Sequence, residues 1–356
     1  MSTVANDLIA GVRSLLADGL TVRSARRAGP LTLVPLVGGV AAPAYLTMAE
    51  ALAAGTLSIG EVGGGSVPQL TLKNDGRLPV LLLDGEHLEG AMQNRVLNAT
   101  VLAAPRQETV IPVSCVERGR WGYRASTRSG FSSAPEMAYA ELRAMKAHAV
   151  AASTRQGTGR RADQGAVWAD VERKRAQVKG ANSPTGAMRD AFRDRRADLR
   201  FIVEGVGRPD QEHNGVMAFA GWRPLALDVF DRPGTLAALW DRLVQGYAMD
   251  ALTEQPASVG EELTQGFLRG IADPDAEATS HEGVGLGVDV IMTSPTSVAD
   301  ALTWEGAAVH LAAFPRSGGE PRWSRSGPRG RADRIARPSE RQRRGGVWFR
   351  DEGGER

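Results

Sequence analysis

The chain is poor in cysteine, lysine and aromatic residues. Among its 356 residues stands one cysteine, Cys115, which has no intrachain partner. That excludes a disulfide-stapled secreted domain and fits a reducing compartment. The aromatic share is 5%, and only Lys73, Lys146, Lys174 and Lys179 are lysines, so nearly all of the 43 basic groups are arginine. This bias, alongside abundant Gly and Ala, reads as the codon usage of a GC-rich gene, so arginine richness is weak evidence for nucleic-acid binding. No run of about 18 apolar residues occurs, so no membrane span is expected. The N-terminus lacks a basic segment followed by a long apolar run, so no signal peptide is expected and the expected location is cytoplasmic. No HExxH, GxGxxG, P-loop or GxSxG pattern is present, and the five histidines are scattered, so no zinc site is expected; the identity of any cofactor stays open.

The charge balance of +2 hides a strong asymmetry. Residues 1–150 carry +2, residues 151–200 carry +6, residues 201–314 carry −12 and residues 315–356 carry +6. The final stretch holds 12 arginines among Gly and Ser with few aliphatic residues. It cannot bury enough apolar surface to fold and is expected to be a disordered Arg/Gly-rich tail. Nucleic-acid binding through that tail is an alternative to which the composition lends little weight. Without the tail the protein is mildly acidic, and its basic and acidic stretches are expected to meet each other, within a chain or across a homo-oligomer.

Periodicity predicts an α+β protein: an N-terminal antiparallel β-sandwich-like unit with inserted and C-terminal helices, and strands returning at the C-terminus. Leu8, Ile9, Val12, Leu15 and Leu16 fall at helical spacing, and residues 1–30 read as an N-terminal amphipathic helix. Residues 31–314 read as one domain. Its early part is rich in short Val/Ile/Leu runs, and Asn74-Asp75-Gly76 is a hairpin signal. Helices are expected from about 134, over 165–179, over 184–196 with Ser183-Pro184 at the start, over 233–251 and over 259–271. The polar stretch near 154–164 reads as a mobile loop. The runs LRFIVEGV, GVMAFAGWRPLALDVF, GVGLGVDVIMT and AAVHLAAF read as strands. Asp228 and Asp231 read as turn or capping residues before Pro233.

Polar residues concentrate in DGEHLEGAMQNRVLN, residues 84–98, and in SCVERGRW, residues 114–121. Glu86 and Glu117 are the candidate catalytic carboxylates, suited to acid–base work. Gln93, Asn94, Arg95, Arg120 and Trp121 are the candidate ligand-binding residues: paired arginines clamp phosphate or carboxylate, and a Trp beside Arg stacks a base or sugar. His87 is the one histidine placed for catalysis, whereas His310, in an apolar run, reads as a core residue. Cys115 reads as core packing. The same polar groups can also serve turns and structural ion pairs, and residue types alone leave that choice open.

The patterns GExLxGxxQNR at 85–95 and PVSCVExGRW at 112–121 resemble a family of uncharacterised bacterial and archaeal proteins named for association with ADP-ribosylglycohydrolases and rhodanese-phosphatase-superfamily proteins. DQGAVW, SPTGAM, LDVFD and the 310–314 segment extend the resemblance from about 30 to 314. It implies a setting of NAD and ADP-ribose metabolism, and hence a protein that binds or processes a phosphorylated nucleotide-type ligand. In that reading Arg95 and Arg120 meet phosphate oxygens, Trp121 stacks, and Glu86 or Glu117 binds ribose hydroxyls or acts as base. A non-enzymatic, partner-binding module is the alternative.

Overall fold

The fold comes from a computed structural model describing residues 3–63, 65–122, 130–180 and 183–316. Most of the expected tail lies outside the described residues. The chain opens with α1 (Thr3–Ala17), β1 (Leu20–Val22), β2 (Arg26–Ala28), β3 (Leu31–Gly38), β4 (Leu46–Thr47) and α2 (Met48–Ala53). A run of strands follows: β5 (Leu57–Glu61), β6 (Gln69–Asn74), β7 (Val80–Leu82), β8 (Glu86–Gly90), β9 (Arg95–Leu97), β10 (Val101–Ala103), β11 (Gln107–Cys115) and β12 (Phe131–Met137). Four helices come next: α3 (Ala140–Arg155), α4 (Gln164–Gln177), α5 (Met188–Asp194) and α6 (Arg196–Val206). The hairpin β13 (Gly215–Ala220) and β14 (Arg223–Phe230) leads into α7 (Pro233–Ala251) and α8 (Glu261–Ile271). The described part closes with β15 (Glu277–Glu282), β16 (Val284–Gly285), β17 (Val288–Thr293), β18 (Ser297–Trp304) and β19 (Ala307–Pro315).

These elements make an α+β fold around a nine-stranded antiparallel sheet, ordered β1-β3-β13-β14-β19-β18-β17-β15 with β2 also on β3. One face packs on α1 and α8 through Val12, Leu16, Phe267, Leu268 and Ile271. The other packs on the helices of the middle region, with α7 at its centre through Leu236, Leu239, Trp240, Leu243 and Tyr247. The β-rich N-terminal half forms a six-stranded antiparallel sheet, β12-β8-β9-β11-β6-β5, and a small sheet, β16-β10-β7-β4, with two short parallel pairings. Between them lies a separate apolar core that includes Leu70, Leu72, Leu82, Leu88, Leu97 and Ile111.

Several elements differ from the sequence expectation. The N-terminal helix ends at Ala17, and residues 20–22 and 26–28 are short strands laid on β3. The run LRFIVEGV lies within helix α6, because Leu199, Ile202 and Val206 are the buried positions and recur at helical spacing. Asn74-Asp75-Gly76 joins two sheets rather than two paired strands; the Asn74 amide turns inward, donating to Leu78 O at 2.9 Å and Ala104 O at 3.1 Å. Residues 134–137 belong to β12, so the helix starts at Ala140. The helix after Ser183-Pro184 starts at Met188; Ser183 Oγ instead accepts from Ala187 N in the preceding turn.

The basic and acidic stretches meet inside the chain. Arg155 pairs with Glu277, Arg160 with Asp289 and Lys174 with Asp250. Arg160 ties the 156–163 connection to β17, its Nε donating to Asp289 Oδ2 at 2.8 Å. Asp300, two residues from the cross-strand partner of Asp289, shares its face of the sheet. Burial, then the nearby Asp289 charge, pushes the Asp300 carboxyl far above the ordinary range. Ionised Asp300 is therefore unfavourable in the fold, and its stabilising protonated form is lost as pH rises through the raised value. Asp300→Asn, which removes that charge, is expected to melt several degrees higher than the parent protein at pH 8 and equally at pH 4. Thermal unfolding at both pH values checks this; equal melting at pH 8 would contradict it.

Candidate functional site

The two polar segments converge. Glu117 lies just past the end of β11, where it makes an isolated bridge to Ala187. Its carboxylate is wholly buried. Oε2 accepts from Arg120 Nη2 at 2.7 Å and from Asn94 N at 3.2 Å, and Oε1 accepts from Thr185 Oγ1 at 2.9 Å. Burial alone pushes the Glu117 carboxyl up; the bonds from Arg120 and Thr185 outweigh it and hold the group below the ordinary range. Arg120 also donates to Ala91 O at 2.7 Å, Gly122 O at 2.9 Å and Asn94 Oδ1 at 3.1 Å. Gln93 joins through Nε2 to Glu117 O at 3.1 Å, and Arg95 Nη1 donates to Gln93 Oε1 at 2.9 Å. The β8–β9 connection can close this tightly because Gly90 has φ +140 and sits against Gly130 O, where a Cβ would have no room.

Arg95 is unusual. It is fully buried, yet Nε and Nη2 have no hydrogen-bond partner, and the half-exposed Trp121 ring lies 6.0 Å from its guanidinium carbon. Burial holds its pKa below the ordinary value, with the Glu61 and Glu117 carboxylates acting against that. Cys115 itself is buried and free.

Glu86 does not join this cluster. Its Oε1 accepts from Arg242 of α7 at 3.1 Å and its Oε2 from Leu83 N at 2.8 Å. Burial raises its pKa, with Arg242 opposing. So both candidate catalytic carboxylates are engaged by arginines and backbone groups of the protein itself.

Asn94 reaches a cleft of about 790 Å³ bounded by the end of β12 and by α5, α6 and α7. Its wall includes Glu136, Arg189, Arg193, Arg196, Arg200 and Arg208. Of the seven candidate residues, Asn94 alone lines it; Glu117 accepts from its backbone N–H and Arg120 donates to its Oδ1. The volume falls within the range of small-molecule sites. Three of the arginines are tied to wall carboxylates, Arg193 to Asp190, Arg200 to Glu204 and Arg208 to Asp241, and Arg189 is tied to Glu89 of β8. Arg196 has no ion pair among the described residues. Sequence reasoning missed this wall, since α6 read as a strand and Glu136 as part of a helix.

A second buried network joins β14, α3, α7 and β19. Asp228 of β14 accepts two bonds from Arg143, one from His310 Nε2 at 3.1 Å and one from the Tyr247 hydroxyl. It is therefore a core ion-pair residue rather than a turn or cap. Asp231 instead accepts from Ala42 N at 2.9 Å and from the Tyr45 hydroxyl. Asp84 bridges Arg143 Nε and Lys146 Nζ, each at 3.1 Å. Gly85, at φ +84, leaves room for the Arg143 side chain, whose carbons lie 2.8 Å from where a Cβ would stand. His310 also bonds Thr100 Oγ1 at 2.8 Å and is a satisfied core histidine.

Among the described residues, no three His, Cys, Asp or Glu side chains are grouped to hold a metal ion, and no helix is long and apolar enough to cross a membrane. Neither curated proteins nor solved structures give a match to this chain. A family model described as the ARG and Rhodanese-Phosphatase-superfamily-associated Protein domain, ARPP-1, matches residues 19–314, which include both polar segments, the cleft and the buried network. The chain belongs to that family.

Proposed function

We propose that the protein binds a phosphorylated nucleotide-type ligand, of the ADP-ribose or NAD kind, in the cleft between β12 and α5–α7. One observation carries this reading: a cleft of about 790 Å³ lined by five arginines opens against Asn94, which the Glu117–Arg120 pair holds in place. Arginine suits phosphate because its planar fork donates two parallel charge-assisted bonds. Arg196 and its neighbours meet the phosphates, while Glu117 and Arg120 act as a brace for the wall rather than as reacting groups. The family's association with ADP-ribosylglycohydrolases agrees with this ligand class.

Calorimetry with ADP-ribose and NAD tests the proposal. Binding is expected to weaken with ionic strength, as exposed charges are screened. Arg196→Ala is expected to lose about tenfold in affinity, the equivalent of one charge-assisted bond of about 1.5 kcal/mol. Failure of both ligands to bind the intact chain would overturn it.

A further inference from the structure

We propose that Glu136 reads the hydroxyl groups of the cleft's ligand, with His87 as its positioning residue, so that the ligand class is a sugar phosphate; this rests on the reading of the cleft as an anionic-ligand site. The residues come together through an irregularity in β12. Glu86 pairs with Met137 and Leu88 with Ser133, so Ala134, Pro135 and Glu136 all stand opposite His87. Such a bulge breaks the ladder and re-aims a side chain. Pro135 has no N–H for the broken ladder to strand. Glu136 Oε1 then meets His87 Nδ1 at 2.9 Å, both residues being at least nine-tenths buried. Because a carboxylate only accepts, Nδ1 carries the proton, and the imidazole fixes the orientation of the carboxylate.

The other oxygen, Oε2, has no hydrogen bond among the described residues, and Glu136 lines the cleft. The other acids of the wall, Asp190, Glu204 and Asp241, are each paired to an arginine. Glu136 is thus the wall carboxylate, among the described residues, that no arginine neutralises. His87 and Glu89 share one face of β8, and Glu89 is bonded to Arg189 of the same wall, which places the His87–Glu136 pair on the cleft side of the sheet. A free carboxylate oxygen repels phosphate and accepts O–H. A ligand that satisfies both kinds of wall group carries phosphate for the arginines and neighbouring hydroxyls for Glu136.

Calorimetry of the full chain with two probes, ADP-ribose and pyrophosphate, separates the roles, since pyrophosphate offers the anion without the hydroxyls. Glu136→Gln is expected to weaken ADP-ribose at least tenfold and to leave pyrophosphate affinity unchanged or slightly higher. His87→Ala is expected to show the same selective loss, with partial recovery in His87→Gln, which retains a donor. Unchanged ADP-ribose affinity in Glu136→Gln, or equal loss for both probes, would overturn the role of Glu136 while leaving the cleft as an anion site. Failure of both probes on the parent protein would overturn the anionic-ligand reading and this inference together.

Discussion

Asp228→Ala is expected to destabilise the protein by about 3–5 kcal/mol, the range seen when one partner of a buried ion pair is removed. Asp228 is fully buried and receives two arginine bonds, a histidine bond and a tyrosine hydroxyl. Without it the Arg143 guanidinium stays enclosed between the sheet and α3 with Asp84 as its remaining carboxylate. Burial pushes the Asp228 carboxyl up, but Arg143 and His310 outweigh this and hold it well below the ordinary range. Its stabilisation is therefore present above the ordinary carboxylate pKa of about 4 and is lost as pH falls through the depressed value. A loss this large is a sizeable part of the 5–15 kcal/mol that holds an ordinary domain together. Urea unfolding measures it, with Asp228→Asn expected to fall between parent and alanine variant because it keeps the shape and one acceptor. A midpoint equal to the parent's in Asp228→Ala would show that the network contributes nothing.

Glu117→Ala is expected to lower stability by about 3 kcal/mol and to abolish detectable ADP-ribose binding. The carboxylate is the shared acceptor for Arg120, the Asn94 backbone and Thr185, so three segments distant in sequence lose their common anchor. Arg120 is left nearly buried without its countercharge, which is the costly part of the change. Because the Glu117 pKa is lowered in the fold, the same stabilisation is expected to fade in the parent protein as pH drops below about 4. Thermal unfolding and calorimetry on one sample check both halves. A stable Glu117→Ala variant that still binds ADP-ribose would remove Glu117 from the support of the cleft.

The two largest effects fall on residues that sequence reasoning treated differently. Glu117 stood out because it sits four residues before Trp121 in a short segment crowded with polar types. In the sequence Asp228 reads as a turn residue because its partners are remote: Arg143 lies 85 residues away and His310 lies 82 away. No local pattern records a pairing that only the register of β14 with β19, and the seating of α3 above them, brings about.

Glu136 was hidden for a related reason. Its surroundings, PEMAYAELRAM, have helical texture, and nothing local announces that the first residues belong to a bulged edge strand. The α6 segment has the composition of a strand because Phe, Ile and Val favour strands, and the tertiary burial of Leu199, Ile202 and Val206 makes it helical.

By itself the sequence determined the α+β class, the helix over 233–251, the amphipathic start of the chain and the two segments where polar groups gather. Each of these rests on short-range periodicity or composition, which record what must be buried over a few turns or pleats. The tertiary structure decided which carboxylates are spent on arginines and which one stays open to the cleft. That choice depends on strand register, on one bulge in β12 and on how α5–α7 lie against it, and burial then sets the energy of every charge so placed.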